Sequence, residues 1–424
     1  MPKSRRVNAA RSARKVALVA LRQWRQEQTV ADALAGELLN QADLETRDRA
    51  FALELFYGVL RNRSLLDYWN DRLRHGKVDV DLRDVLRLGL YQLLLLKTAE
   101  HAAVYETVDL ARPRSRTLVN AVLRNAVRQR DDLVTSAAAQ PLSIRTSHPE
   151  FLIDRWTQQF GQDATEQLCQ WNNEPPPLYG RVNELRLSRD EFLQRYPSAQ
   201  PLPEHPRFVR FDSVPAEALA RGDCYIQDPS TATACELLAP LPGEKVLDAC
   251  AAPGGKTSYL GELMQNQGML LACDRDQERL NVLRDNVARL GIRIADIVRA
   301  DWTRSQLPKE VISQAPFDRI LLDVPCSNTG VMRRRPDVRW RLRRDAFGHM
   351  QDRQLAIARV LLPLLKVGGV FVYSTCSIEP EENEALVDRL TRDLRGWRCV
   401  EQQSTLPFRD NVDGAFAAKL IREA

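Results

Sequence analysis

The 424-residue chain has only five histidines, at 75, 101, 148, 205 and 349, too scattered to form an HxxxH or HExxH pair. Its eight cysteines (169, 224, 235, 250, 273, 326, 376 and 399) include no CxxC pair. A zinc site therefore has no basis in the sequence, and so few cysteines in so long a chain read as free thiols rather than a disulfide scaffold. Long apolar runs are also missing. The densest, Leu88 to Leu96, is broken by Gly89 and Gln92 and is far short of the roughly 20 residues a bilayer span needs. The basic N-terminus (Lys3, Arg5, Arg6, Arg11, Arg14, Lys15) is not followed by an apolar stretch with a small-residue cleavage site. A soluble, cytoplasmic protein with no membrane partner is expected. Glycine (19) and proline (23) are spread along the chain, which excludes collagen-like and low-complexity classes.

Lysine is scarce too. Of 61 basic residues only nine are lysine, and arginine suits bidentate phosphate contacts and base stacking. A codon bias toward arginine would give the same composition. Residues 1–150 hold 25 basic and 18 acidic side chains against 36 and 38 in the remainder, so the basic excess is N-terminal. That distribution points to an RNA partner.

At roughly 150 residues per domain the length predicts two or three domains. From about residue 8 to 135 the apolar spacing is helical: Val119, Val122, Leu123, Ala126 and Val127 form one stripe, Leu86, Leu90, Leu93 and Leu94 another, and Phe51, Leu55 and Val59 a third. Residues 1–140 therefore read as an all-α domain. Ser147-His148-Pro149-Glu150 has the form of a capping box that opens a new helix, which Pro175-Pro176-Pro177 must end. Residues 141–235 form a linker and small middle subdomain in which Asp228-Pro229 reads as a helix cap and first position. From 236 to 424 short apolar runs at Val246–Ala249, Met269–Cys273, Ile294–Val298, Ile320–Val324 and Val370–Tyr373 alternate with helical stretches. The alternation predicts a doubly wound parallel sheet whose ligands lie at the carboxyl ends of the strands.

Every motif with chemical content sits at such an end. Asp248-Ala249-Cys250-Ala251-Ala252-Pro253-Gly254-Gly255-Lys256-Thr257 follows the first strand, but Cys250 stands where a P-loop needs glycine, and GxGxxG is absent. What remains is a tight turn that lets the backbone approach a ligand, with Asp248 placed to receive a cation. Asp274, Asp301 and Asp323 end the next three strands. Together these acids outline a pocket for an adenosine-bearing cation, and S-adenosylmethionine suits it better than a polyphosphate. Cys326 and Cys376 follow the fourth and fifth strands. Methylation of a pyrimidine at C5 needs such thiols. C5 becomes nucleophilic only after a thiolate adds to C6, an acid must support N3, and a base must later remove the C5 proton.

The strings DACAAPGGKT, DVPCSNTG and YSTCSIEPEENE closely resemble the RNA 5-methylcytosine methyltransferases. The resemblance implies an S-adenosylmethionine-dependent enzyme in which Cys376 is the nucleophile and Cys326 assists product release. It assigns Cys250, Ala251, Ala252, Pro253, Gly254, Gly255, Lys256, Asp274, Asp301 and Asp323 to the cofactor, with Asp323 catalytic as well. The N-terminal region resembles the NusB-type RNA-binding domain through Arg47-Asp48-Arg49-Ala50, Leu55 to Arg61 and Val119 to Arg124. The combination resembles the Sun/Fmu (RsmB) family of bacterial 16S rRNA methyltransferases, which implies cytosine 967 of 16S rRNA as target. It also implies an RRM-like middle subdomain, with Arg181 and Asn183 as RNA contacts, and a Rossmann-like catalytic domain; a monomer with no metal is expected. Arg333, Arg334, Arg335, Arg339, Arg341, Arg343 and Arg344 stand against Asp337 alone just after the PC motif. This run, with Trp340 to stack, is expected to meet RNA. The competing classes are a non-catalytic RNA-binding assembly or antitermination factor, and a tRNA cytosine-C5 methyltransferase.

Overall fold

The computed structural model describes residues 12–423 apart from 28, 29, 75 and 305; Lys3, Arg5, Arg6, Arg11 and His75 lie outside the described residues. Packing divides the chain into two units. One comprises residues 1–174 with 332–342, the other 175–331 with 343–424.

The first unit is helical. Ala13–Glu27, Thr46–Arg61, Arg63–Leu73, Val80–Leu90, Glu100–Leu110 and Arg116–Arg128 are among its helices, and the three apolar stripes turn inward as expected. Val119, Val122, Leu123 and Ala126 are buried, as are Leu86, Leu90, Leu93 and Leu94. Each such leucine or valine contributes about 1.5–3 kcal/mol through the area it removes from water. The capping box at Ser147 does not form. Ser147 sits at φ +54°, its hydroxyl accepts instead from the Leu65 amide at 3.0 Å, and the helix Glu150–Phe160 starts behind Pro149 with no side-chain cap. A donor from another helix outcompeted the local one.

The second unit carries two sheets. Strands β1 (Leu178–Val182), β2 (Gln200–Pro201), β3 (Phe208–Phe211) and β4 (Cys224–Ile226) pair antiparallel in the order β2-β3-β1-β4. The capping box in this region belongs to Ser188 and Glu191, at the start of Arg189–Arg195. Asp228 does cap its own amide turn, accepting from Ser230, with Pro229 next.

The larger sheet holds β5 (Lys245–Asp248), β6 (Met269–Asp274), β7 (Ala295–Arg299), β8 (Phe317–Asp323), β9 (Leu365–Thr375), β10 (Trp397–Thr405) and β11 (Ala415–Arg422). Its order is β10-β11-β9-β8-β5-β6-β7, with β5 to β9 parallel. The antiparallel pair β10 and β11 was not anticipated: Glu401, Gln402, Gln403 and Ser404 make the second half of β10 a polar string, although residues 415–421 in β11 are mostly apolar. Strand order reverses at β5, with β6 on one side and β8 on the other, and ligands of doubly wound sheets bind at such a switch point. Among the described residues no helix is long and apolar enough to cross a membrane.

Candidate active site

Parallel pairing aligns the strand ends. Asp248 is opposite Ala272 and Leu321, Asp274 opposite Arg299, and Asp323 opposite Ser374. Three of the four predicted acids thus end their strands, and Asp301 follows β7 by two residues.

Between β5 and the helix Gly255–Leu263 the chain turns at Gly254, φ +107°. A Cβ on Gly254 would approach Leu283 Cδ1 to 2.7 Å, and one on Gly255 would approach Tyr225 Cε1 to 2.8 Å. Gly254 demands glycine for its conformation, and at Gly255 a Cβ would force the Tyr225 ring to shift. Asp274 stiffens the turn by accepting from the Ala252 amide at 3.3 Å and pairing with Arg279 at 3.3 Å. Asp301 accepts from the hydroxyl and amide of Thr303 at 2.7 and 3.1 Å, which lowers its pKa. Asp248 is fully buried. Burial pushes its pKa up to about 7; Thr257 donates to one oxygen at 2.7 Å, and the other oxygen has no partner among the described residues.

Lys256 leaves the same turn and donates to Asp323 Oδ2 at 2.7 Å. Burial works against the ammonium charge, but the charge and hydrogen bond of Asp323 outweigh it and raise the Lys256 pKa. Ser374 donates to the other Asp323 oxygen at 2.9 Å.

The two thiols meet. Cys326 and Cys376 hold their sulfurs 3.2 Å apart; Cys326 is buried and Cys376 partly exposed. The hydrogen bond to Cys376, followed by burial, raises the Cys326 pKa well above that of an ordinary thiol. Asn328 accepts from Cys376 at 3.3 Å and donates to the Cys326 carbonyl at 2.8 Å. Beneath both loops lies the buried carboxylate of Glu382. It accepts from the Ser327 amide at 2.9 Å, Gln354 at 2.8 Å and the Ser377 hydroxyl at 2.8 Å. Asn328, Ser374 and Glu382 were missed as individual residues, although all three lie in or beside the quoted DVPCSNTG and YSTCSIEPEENE strings.

Family profiles match each part. "16S rRNA methyltransferase RsmB/F" covers residues 235–421, "NusB family" 11–128, and the RsmF/B-like ferredoxin-like domain 148–201. The ribosomal RNA small subunit methyltransferase B of Salmonella arizonae is 36% identical over 406 residues, 90% of this chain and 92% of that protein. The enzyme of that name from Klebsiella pneumoniae (strain ATCC 700721 / MGH 78578) is 37% identical over 405 residues, with the same coverage. The chain belongs to the RsmB/F family of rRNA methyltransferases. The crystal structure of PH0851 superimposes on this RsmB/F chain with a TM-score of 0.76 at 25% identity, covering 97% of this chain and 99% of that one. The expected architecture is therefore present: a NusB-type helical domain, a ferredoxin-like middle, the fold class of the expected RRM-like subdomain, and a Rossmann-like methyltransferase domain.

Most of the anticipated RNA contacts of this RsmB/F chain lie elsewhere than expected. Arg181 is buried, pairs with Glu262 at 2.6 Å, donates to Ser258 at 2.8 Å and lies over the Tyr259 ring at 4.5 Å. Asn183, also buried, donates to the carbonyls of Gly222 and Leu290 at 2.8 and 2.9 Å. Both lock β1 to neighbouring helices and offer no surface to RNA. Arg339 is fully buried and donates to Asn173 Oδ1 at 2.8 Å and to the carbonyls of Asn172, Arg61 and Ser147 at 3.1, 3.3 and 3.3 Å. Arg333 stacks over Trp171 at 4.1 Å and pairs with Glu174 at 3.2 Å. Trp340 donates to the Leu60 carbonyl at 2.7 Å and packs on the helical core. Arg333 and Arg339 are corrected to structural residues, because buried cations must satisfy their donors within the fold; Trp340 is partly buried and spends its indole donor inside the fold as well. Arg335 is exposed, and Arg334 is partly exposed.

Proposed function

We propose that this chain transfers a methyl group from S-adenosylmethionine to C5 of a cytosine in 16S rRNA, by resemblance cytosine 967, through a transient bond between Cys376 and C6. The observation that carries this reading is the 3.2 Å pairing of two thiols at the ends of adjacent parallel strands, next to the Asp323–Lys256 ion pair. Cys376, the more exposed sulfur, adds to C6, while Asp323 supports N3 as that ring nitrogen takes up a proton. The C5–C6 π electrons then localise at C5, which becomes nucleophilic. When bound, S-adenosylmethionine supplies an electrophilic methyl group. Loss of the C5 proton to a base restores the double bond and expels the Cys376 thiolate, N3 gives back the proton it took up, and Cys326 stands beside the leaving sulfur to assist that departure.

The residues present suit that donor. The partnerless buried oxygen of Asp248 favours a nearby cation, and the strain-free glycine turn allows close backbone approach. Cys250, Ala251, Ala252, Pro253, Gly254, Gly255 and Lys256, with Asp274, Asp301 and Asp323, would hold it. Arg334 and Arg335 remain as RNA contacts. The reading includes cytoplasmic action as a monomer, with functional segments divided near residues 140 and 235.

The test is transfer of labelled methyl to 16S rRNA that lacks the modification, with tRNA as competitor. Cys376→Ala is expected to abolish transfer while retaining cofactor binding, and Cys326→Ala to accumulate a covalent RNA adduct on a denaturing gel. An adduct with Cys376→Ala instead would reverse the two roles, and transfer to tRNA alone would replace the substrate.

A further inference from the structure

Arg181, Asn183, Arg333 and Arg339 are buried, but the helical unit carries other, exposed groups that could recognise a polyanion with aromatic bases. Helices Glu100–Leu110 and Arg116–Arg128 pack against each other and line a cleft of about 380 Å³. Val104, Val108 and Val127 supply its apolar lining. His101 and Tyr105, one turn apart, place their rings parallel within 6°, centroids 6.2 Å apart. Tyr105 is 68% exposed, so its ring is open to a stacking partner. Across the cleft Asn120, Arg124 and Arg128 repeat every four residues and so share one helix face. Arg124 donates to Asn120 at 3.1 Å and Arg128 to Asn125 at 3.4 Å, both neutral amides. Glu100, the one carboxylate among the lining residues, pairs with Arg130 at 3.3 Å.

We propose that this cleft is a docking surface for single-stranded RNA, with His101 and Tyr105 stacking on bases and Arg124 and Arg128 contacting phosphates. Exposed aromatic faces beside cations that meet no carboxylate among the described residues have the chemistry of sequence-tolerant strand binding. Phosphates would neutralise the two guanidinium groups while bases take the stacked rings, so a single strand of RNA matches both halves of the cleft. The choice of RNA rests on the function proposed above, but the test below reads binding and does not depend on catalysis.

The full-length protein is titrated against a fluorescently labelled single-stranded fragment of small-subunit rRNA at several salt concentrations. Tyr105→Ala is expected to weaken binding about tenfold, whereas Tyr105→Phe, which keeps the ring, binds like the parent. Arg124→Gln with Arg128→Gln should lower the slope of log affinity against log salt by about 1.4, roughly 0.7 per lost phosphate contact on a single strand. The corresponding lysine variants should restore it. Parent-like affinity and salt slope in the alanine and glutamine variants, with unchanged melting temperatures, would overturn the proposal even if the enzyme methylates rRNA.

Discussion

The Cys326 and Cys376 sulfurs stand 3.2 Å apart because β8 and β9 run parallel with Asp323 opposite Ser374, and each chain then turns into its cysteine within a few residues. Neither loop would hold that distance unaided. Asn328 grips both, and its φ of +62° is one that asparagine tolerates far better than most residues. Asn328→Gly should keep the backbone and lose the two side-chain contacts, slowing methyl transfer about tenfold with cofactor affinity unchanged. Asn328→Ala should unfold at lower urea than the glycine variant by about 1 kcal/mol, the cost of a Cβ in the left-handed region. Equal stability of the two variants would remove the conformational argument.

Glu382 accepts three hydrogen bonds where no water reaches. Glu382→Ala orphans those donors, and a loss of about 3 kcal/mol is expected. Turnover should fall as the Ser327 and Ser377 anchors slacken. Glu382→Gln keeps the volume but presents a donor to a donor, so it should lie between the two. Urea melts and single-turnover methylation measure both effects, and an alanine variant with parent-like stability and rate would contradict the anchoring role.

Arg339 satisfies four acceptors from distant parts of the helical unit. Arg339→Ala should cost about 3 kcal/mol or more, since the buried carbonyls lose their donors and a cavity opens. Arg339→Lys should not recover it, because an ammonium cannot reproduce the planar fork. If Arg339→Ala changes RNA affinity while leaving the melting temperature unmoved, its assignment as a structural residue is wrong.

His148 is buried, its Nδ1–H donating to the Thr146 carbonyl at 2.8 Å while Nε2 lies 3.4 Å from the Asn172 amide. Burial, then the charge of Arg339, depresses its pKa well below 6.5. The unfolded chain therefore binds the proton more readily than the folded one. The contribution to stability is complete above pH 6.5 and is lost as pH falls from there toward the folded-state pKa, with a limiting slope of about 1.4 kcal/mol per pH unit. Unfolding measured at pH 7.5, 6.5 and 5.5 should show a steeper acid loss in the parent than in His148→Gln. Parallel curves would mean that His148 titrates normally.

Whatever depends on a short stretch of chain was legible before folding. The period of 3.6 revealed the helical stripes, short bounded apolar runs revealed the five parallel strands, and turn chemistry located Gly254. The acids and thiols at the strand ends followed, since a parallel sheet collects those ends on one side. Partners remote in sequence were invisible. The run Arg333–Arg344 reads locally as a solvated cationic face, yet Met332–Leu342 belongs to the helical unit, and carbonyls from Arg61, Ser147 and Asn172 turn Arg339 into an interior group. Ser147 likewise left its local cap for Leu65. Hydrogen-bond satisfaction is a property of the packed interior, so the difference between a buried arginine and one that faces solvent emerged only when distant segments came together.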